Sequence, residues 1–184
     1  MPGLLPDVDP DGLLEYSVVY TDRSLNHMSQ SFQGVINDLS STLKKVYNAE
    51  AVVIVPGSGT FGMEAVARQF ATEKKCLVIR NGWFSYRWTQ IFEMGDMPAS
   101  STVLKACPVE KGSRAAFAPA SIRDVVSTIE EEKPDVVFAP HVETSSGMIL
   151  PDEYVQAVGD ATRAVGGLFV LDCIASGAMW VDMK

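Results

Sequence analysis

The stretch AVVIVPGSGTFGMEAVARQF, residues 51–70, holds a five-residue apolar run, a Gly-rich turn and the start of a helical pattern in that order. Read as a strand over 51–55, the apolar run passes into Gly57, Ser58, Gly59 and Thr60 before the helix begins. Glycines there let the backbone turn tightly and approach a ligand. The free N–H groups and positive dipole of the helix start attract a phosphate, and the Ser58 and Thr60 hydroxyls add donors. A Gly-rich strand-to-helix turn with no ligand is the bland alternative.

Outward from this stretch the pattern repeats. CLVIR (76–80), TVLKA (102–106), DVVFA (135–139) and GLFVLD (167–172) are short apolar runs without the alternation of a half-exposed sheet. Runs buried on both faces predict a parallel sheet, covered by helices expected near 60–72, 83–94, 120–132 and 152–165. The fold class is therefore α/β, a three-layer sandwich on a mainly parallel sheet. Right-handed crossovers place all strand C-termini on one edge, where open α/β folds bind ligands. Upstream, Val35, Ile36, Leu39, Leu43 and Val46 recur at helical spacing and predict an amphipathic helix over 29–48, with Lys44 and Lys45 near its C-terminal end. Residues 1–28, opening with three prolines and three aspartates in the first dozen positions, are expected to form an extended arm, and 29–184 one domain or part of one.

The 184 residues are 47% apolar and 21% charged, with 15 basic against 23 acidic side chains and a net charge of −8. This is a globular composition, and the acidic balance disfavours nucleic acid and anionic membrane surfaces as partners. No apolar run reaches the roughly 20 residues that span a bilayer, and the N-terminus lacks signal-peptide order. Cys76, Cys107 and Cys173 are widely spaced and odd in number, which suits a reducing cytoplasm and no metal site.

Other strand ends carry chemistry of their own. NGWFSYRW groups Trp83, Phe84, Tyr86 and Trp88 at a helix start, where one or two can stack on a flat heterocycle while the rest fill core. The run His141-Val142-Glu143-Thr144-Ser145-Ser146-Gly147 offers hydroxyls at a strand end, although such residues are also ordinary in loops. His27 and His141 lack metal spacing and a nucleophile partner, and read as loop or cap histidines. Asp172 is the first charge after an apolar run, so it either caps local amides or pairs with a cationic ligand group. Gly57, Gly59 and Gly62 also match GxGxxG, the dinucleotide fingerprint. CLVIRNG ends in Arg80 and Asn81 instead of the acidic residue that takes the ribose hydroxyls, so the rival function is an NADP-dependent oxidoreductase with Arg80 on the extra phosphate.

In order along the chain, LNHMSQSF, PGSGTFGMEA, NGWFSYR, HVETSSGMILP and LDCIASG resemble the motifs of class V, fold-type I pyridoxal phosphate-dependent enzymes, and within them the alanine-glyoxylate and serine-pyruvate aminotransferases. The resemblance implies that Ser58, Gly59 and Thr60 hold the cofactor phosphate and that Phe84 stacks on the pyridine ring. It further implies that Thr144 bonds the ring hydroxyl and that Asp172 pairs with the pyridine nitrogen. The related cysteine desulfurases carry a histidine at the stacking position, so Phe84 favours transamination. The implied activity is ping-pong transfer of an amino group from an amino acid to a small 2-oxo acid such as glyoxylate or pyruvate, in a cytoplasmic homodimer.

One departure qualifies this expectation. The family's Schiff-base lysine lies further beyond the aspartate than Lys184, which is twelve residues past Asp172 in WVDMK and is not given that role. The chain is thus expected to be an N-terminal part. The rest of the large domain and a small C-terminal domain would be its missing partner, and the chain alone would not be competent. A non-catalytic interaction protein derived from a truncated aminotransferase is the second alternative.

Overall fold

A computed structural model describes His27, residues 30–177, Met179, Val181 and Asp182. The arm expected over 1–28 falls, apart from His27, outside the described residues, and so does Lys184. Two compact units emerge, one comprising Val55–Met179 and the other Met1–Ile54 with Trp180–Lys184.

In the larger unit, α2 (Gly59–Phe70) leads into β1 (Lys75–Arg80), α3 (Trp83–Gly95), β2 (Ser100–Lys105) and the short pair β3 (Cys107–Pro108) and β4 (Phe117–Ala118). Then come α4 (Ile122–Glu132), β5 (Val136–Pro140), the hairpin β6 (Val142–Glu143) with β7 (Met148–Ile149), α5 (Asp152–Ala164), β8 (Leu168–Asp172) and a 3-10 turn, Ile174–Ser176. β2, β1, β5 and β8 lie side by side in that order, all parallel. The four runs expected from 76 onward are these four strands.

Alternate residues of the central strands feed two cores. Cys76, Val78, Val136 and Phe138 meet Met63 and Ala67 of α2 and Trp88 and Phe92 of α3. Leu77, Ile79, Val137 and Ala139 meet Val125 and Ile129 of α4 and Tyr154 and Val158 of α5. Three layers result, with both sheet faces covered, which is why the strands read as unbroken apolar runs. Burial of each Leu, Val or Phe here stabilises the layers by about 1.5–3 kcal/mol. The indole of Trp88 sits 4.7 Å from the ring of Phe138, so this member of the aromatic cluster belongs to the core.

The chain crosses from β1 through α3 to β2 on one side, then through α4 to β5 on the other. Strand order therefore reverses between β1 and β5, and the crevice outside their carboxyl ends is a topological switch point. Arg80-Asn81-Gly82 and Pro140-His141 leave the sheet there.

In the smaller unit, α1 (Gln30–Tyr47) agrees with the helix expected over 29–48, yet none of its residues is buried, and Val35 and Leu39 are exposed. The Asn48 side chain donates to the Asp182 carboxylate at 3.1 Å. The strand expected over 51–55 is not formed. No described strand pairs with this run, and Val53 is 82% exposed. Apolar content sets what a segment would gain by burial, whereas a strand also needs a neighbour for its backbone groups.

Candidate functional site

The turn before α2 is built by its glycines. Gly57 has φ +146°, and a Cβ there would come within 2.8 Å of the Phe61 Cβ. A Cβ on Gly59 would collide with the Ile174 side chain, so the 3-10 turn after β8 leaves room for backbone only. Ser58 occupies the N-cap position of α2 in extended conformation, but its hydroxyl makes no capping bond. Its carbonyl accepts from the amides of Phe61 and Gly62, at 2.9 and 3.2 Å. Helix geometry leaves the Gly59 and Thr60 amides without intrahelical acceptors, so the turn presents amides and a spare hydroxyl. Gly62 is different, for a Cβ there would meet nothing within 4 Å. The third glycine of the dinucleotide fingerprint serves close helix–strand packing, and that reason is missing here. Arg80, the residue the oxidoreductase reading needs, donates to Thr89 and lies 5.0 Å from the centre of the Tyr86 ring.

Phe84 lies in the first turn of α3, 44% exposed, beside the more exposed Trp83. Thr144 sits, exposed, in the turn between β6 and β7. Asp172 ends β8, paired in register with Pro140, and its carbonyl accepts the His141 amide. Among the described residues its carboxylate accepts one hydrogen bond, from the Ile174 amide at 3.1 Å. Burial pushes the Asp172 carboxyl above its ordinary value, the Ile174 amide opposes this, the Glu143 charge adds to it and the Arg87 charge lowers it. The result is a partly desolvated carboxylate with spare accepting capacity at the carboxyl edge of the sheet, an environment that favours a cationic N–H partner.

Two residues not singled out from the sequence connect these places. Arg87 donates from Nη1 to the Thr60 hydroxyl at 2.7 Å, and its guanidinium carbon lies 5.8 Å from the centre of the Phe84 ring. Its helical position, three residues after Phe84, was the available signal. Glu143 is fully buried and accepts from the Phe84 amide at 3.1 Å, the Ser85 amide at 2.8 Å, the Ser85 hydroxyl at 2.6 Å and the Ser145 hydroxyl. Burial raises its pKa, but those four donors outweigh it and hold the carboxyl below the ordinary value. His141, also buried, bonds the Ser176 hydroxyl through Nδ1 at 2.7 Å and so ties the 3-10 turn to the end of β5. Thr60 and Phe84 are thus joined through Arg87, and Phe84 and Thr144 through Glu143, while Asp172 feels both charges.

No family model matches the chain. The chain is 30% identical over 173 residues to (S)-ureidoglycine–glyoxylate transaminase of Bacillus subtilis strain 168, covering 92% of this chain and 38% of that protein. It is 29% identical over 156 residues to 2-aminoethylphosphonate–pyruvate transaminase of Bacillus mycoides strain KBAB4, covering 82% and 39%. Among solved structures, the ureidoglycine-glyoxylate aminotransferase of Bacillus subtilis superposes with a TM-score of 0.69 at 25% identity, over 83% of this chain and 37% of that one. The alanine–glyoxylate aminotransferase of Nostoc sp. superposes with a TM-score of 0.66 at 24% identity, over 83% and 38%, a likeness of fold. The chain spans about two fifths of the length of the curated relatives it matches.

Proposed function

We propose that this chain, similar in sequence and fold to the N-terminal part of class V, fold-type I pyridoxal phosphate-dependent aminotransferases, holds the cofactor of a transaminase that moves an amino group from an amino acid to a small 2-oxo acid such as glyoxylate or pyruvate. The observation that carries this reading is the Asp172 carboxylate, desolvated and only partly satisfied at the carboxyl edge of the sheet.

The residues present fit pyridoxal phosphate. The amides of Gly59 and Thr60 and the Ser58 hydroxyl are donors suited to the phosphate, and the Gly59 backbone admits close approach. Phe84 offers a half-exposed ring to stack on the pyridine, and Thr144 an exposed hydroxyl for the ring oxygen. When bound, the cofactor supplies a ring that withdraws electrons from the substrate Cα. Asp172 keeps a proton on the pyridine nitrogen by accepting its hydrogen bond, because a buried carboxylate gains most from a cationic donor. Arg87 adds positive charge beside Thr60 in an otherwise acidic chain.

The same reading carries a homodimer and a cytoplasmic setting. Support for the latter is compositional: the three cysteines are free, and Cys76 is buried. Among the described residues no helix is long and apolar enough to cross a membrane.

Titration of the 184-residue chain with pyridoxamine 5′-phosphate, which needs no covalent link, tests the proposal. Saturable binding that falls about ten-fold or more on Asp172→Asn is expected, as for loss of a charge-assisted bond. Absence of binding, or indifference to Asp172→Asn, overturns it.

A further inference from the structure

Glu143 carries an inference that rests on the transaminase reading and goes beyond it. Its carboxylate lies fully buried between the β6–β7 hairpin and the start of α3. Four donors meet it directly: the amides of Phe84 and Ser85 and the hydroxyls of Ser85 and Ser145. The two hydroxyls extend the network. Ser85 Oγ accepts from the amides of Asn81 and Gly82, at 2.9 and 3.1 Å, and Ser145 Oγ accepts from the Trp83 amide at 2.8 Å. Five consecutive amides, from Asn81 to Ser85, are therefore satisfied by one carboxylate and two hydroxyls.

A helix start can be capped by a Ser, Thr, Asn or Asp of its own segment, without bringing a charge from 59 residues away and burying it. A remote carboxylate does something a local cap does not, which is to fix one segment against another. Space is built around it: a Cβ on Gly82 would come within 2.7 Å of the Glu143 Cγ and collide with the Ser145 hydroxyl. Phe84 has a half-exposed side chain, so its place depends on its backbone. That backbone is bonded to Glu143, and Thr144 is the next residue along the other segment.

We infer that Glu143 is a positioning residue, which sets the Phe84 ring and the Thr144 hydroxyl at a fixed separation so that one pyridine ring meets both. It touches neither cofactor nor substrate. Its effect reaches ring recognition and leaves the phosphate turn at 57–60 alone.

The test uses the 184-residue chain and two probes, pyridoxamine 5′-phosphate and inorganic phosphate, on wild type, Glu143→Gln, Phe84→Ala and the double variant, with amide exchange at 83–85 measured without ligand. Glutamine keeps the shape but, whichever way its amide faces, turns an NH2 donor toward a backbone amide, of Phe84 or of Ser85, that can only donate. Expected are faster exchange at 83–85, a loss of about ten-fold in pyridoxamine phosphate affinity and phosphate affinity unchanged within about two-fold. In the Phe84→Ala background the same change costs less than about two-fold, because coupled groups are non-additive. Equal loss for both probes, additive losses in the double variant, or unchanged pyridoxamine phosphate affinity overturns the inference while leaving the transaminase reading intact. A wild-type chain that binds no pyridoxamine phosphate overturns both. Should Glu143→Gln not fold, Ser145→Ala, which leaves the carboxylate in place, is judged by the same criteria with a smaller loss expected.

Discussion

Arg87 Nη1 donates to Thr60 Oγ1 at 2.7 Å, joining the fifth residue of α3 to the first turn of α2 across 27 positions of sequence. Among the described residues no carboxylate comes close enough to form an ion pair with this guanidinium. A half-buried cation beside helix-start amides, with no carboxylate in direct contact among the described residues, is placed for an anion. Arg87→Met is expected to weaken inorganic phosphate binding by about ten-fold at low ionic strength, with a smaller loss at high salt because exposed charge interactions are screened. Calorimetric titration at two salt concentrations checks this. An unchanged affinity would confine Arg87 to orienting the Thr60 hydroxyl.

Asp172 gives a prediction whose sign is opposite for folding and for binding. Burial first, and the Glu143 charge after it, hold the carboxyl above its ordinary 3.8 despite the Ile174 amide and Arg87. The folded chain therefore binds this proton more tightly than the unfolded one. Stability is lost as pH rises from the ordinary value through the raised one, and the cost is complete above the raised value. Asp172→Asn removes the charge and retains an oxygen for the Ile174 amide. Thermal unfolding without ligand at pH 7 should show a higher Tm for the variant, with the gain fading in acid, although pyridoxamine phosphate binding weakens. A lower Tm at pH 7 would mean that the carboxylate is already paired.

Glu143 reverses the linkage. Burial opposes its charge, but the Ser145 and Ser85 hydroxyls and the Ser85 and Phe84 amides outweigh burial and lower the carboxyl below its ordinary 4.5. Its stabilising contribution is complete above that ordinary value and drains away as pH falls through the lowered one. Glu143→Gln is expected to destabilise the chain by about 1–3 kcal/mol at pH 7, as for a lost charged hydrogen-bond acceptor, and the gap to wild type should narrow in acid. Denaturant unfolding at pH 7 and pH 3 measures both. A gap independent of pH would assign the effect to shape alone.

These two carboxylates also show what the sequence could and could not disclose. Asp172 stood out because a charge that ends an apolar run has little choice but to sit at a strand end. Glu143 did not, since it lies in a polar run and its partners come from α3, 58 and 59 residues earlier. The runs at 76–80 and 135–139 read correctly because both faces of β1 and β5 are covered, which leaves the buried positions 76–79 and 136–139 apolar and puts Arg80 and Asp135 at the ends. The run at 51–55 has the same composition and forms no strand, because pairing is a property of a neighbour and not of the segment.

Two glycines separate the structural requirements of the site from mere resemblance to a motif. At Gly82 a methyl group would strike the Ser145 hydroxyl and come within 2.7 Å of the Glu143 side chain, and neither can withdraw without breaking the network that holds Asn81 to Ser85. Gly82→Ala is therefore expected to destabilise by about 1–3 kcal/mol, the usual cost of overpacking, and to accelerate amide exchange at 83–85. At Gly62, inside α2, the methyl group meets nothing within 4 Å. Gly62→Ala should instead stabilise by about 0.5–1 kcal/mol through helix propensity, with phosphate affinity unchanged. Paired denaturant curves decide the matter. A destabilised Gly62→Ala would mean that α2 is closely approached at this glycine, as the dinucleotide fingerprint requires, and would return weight to a nicotinamide cofactor at the same turn.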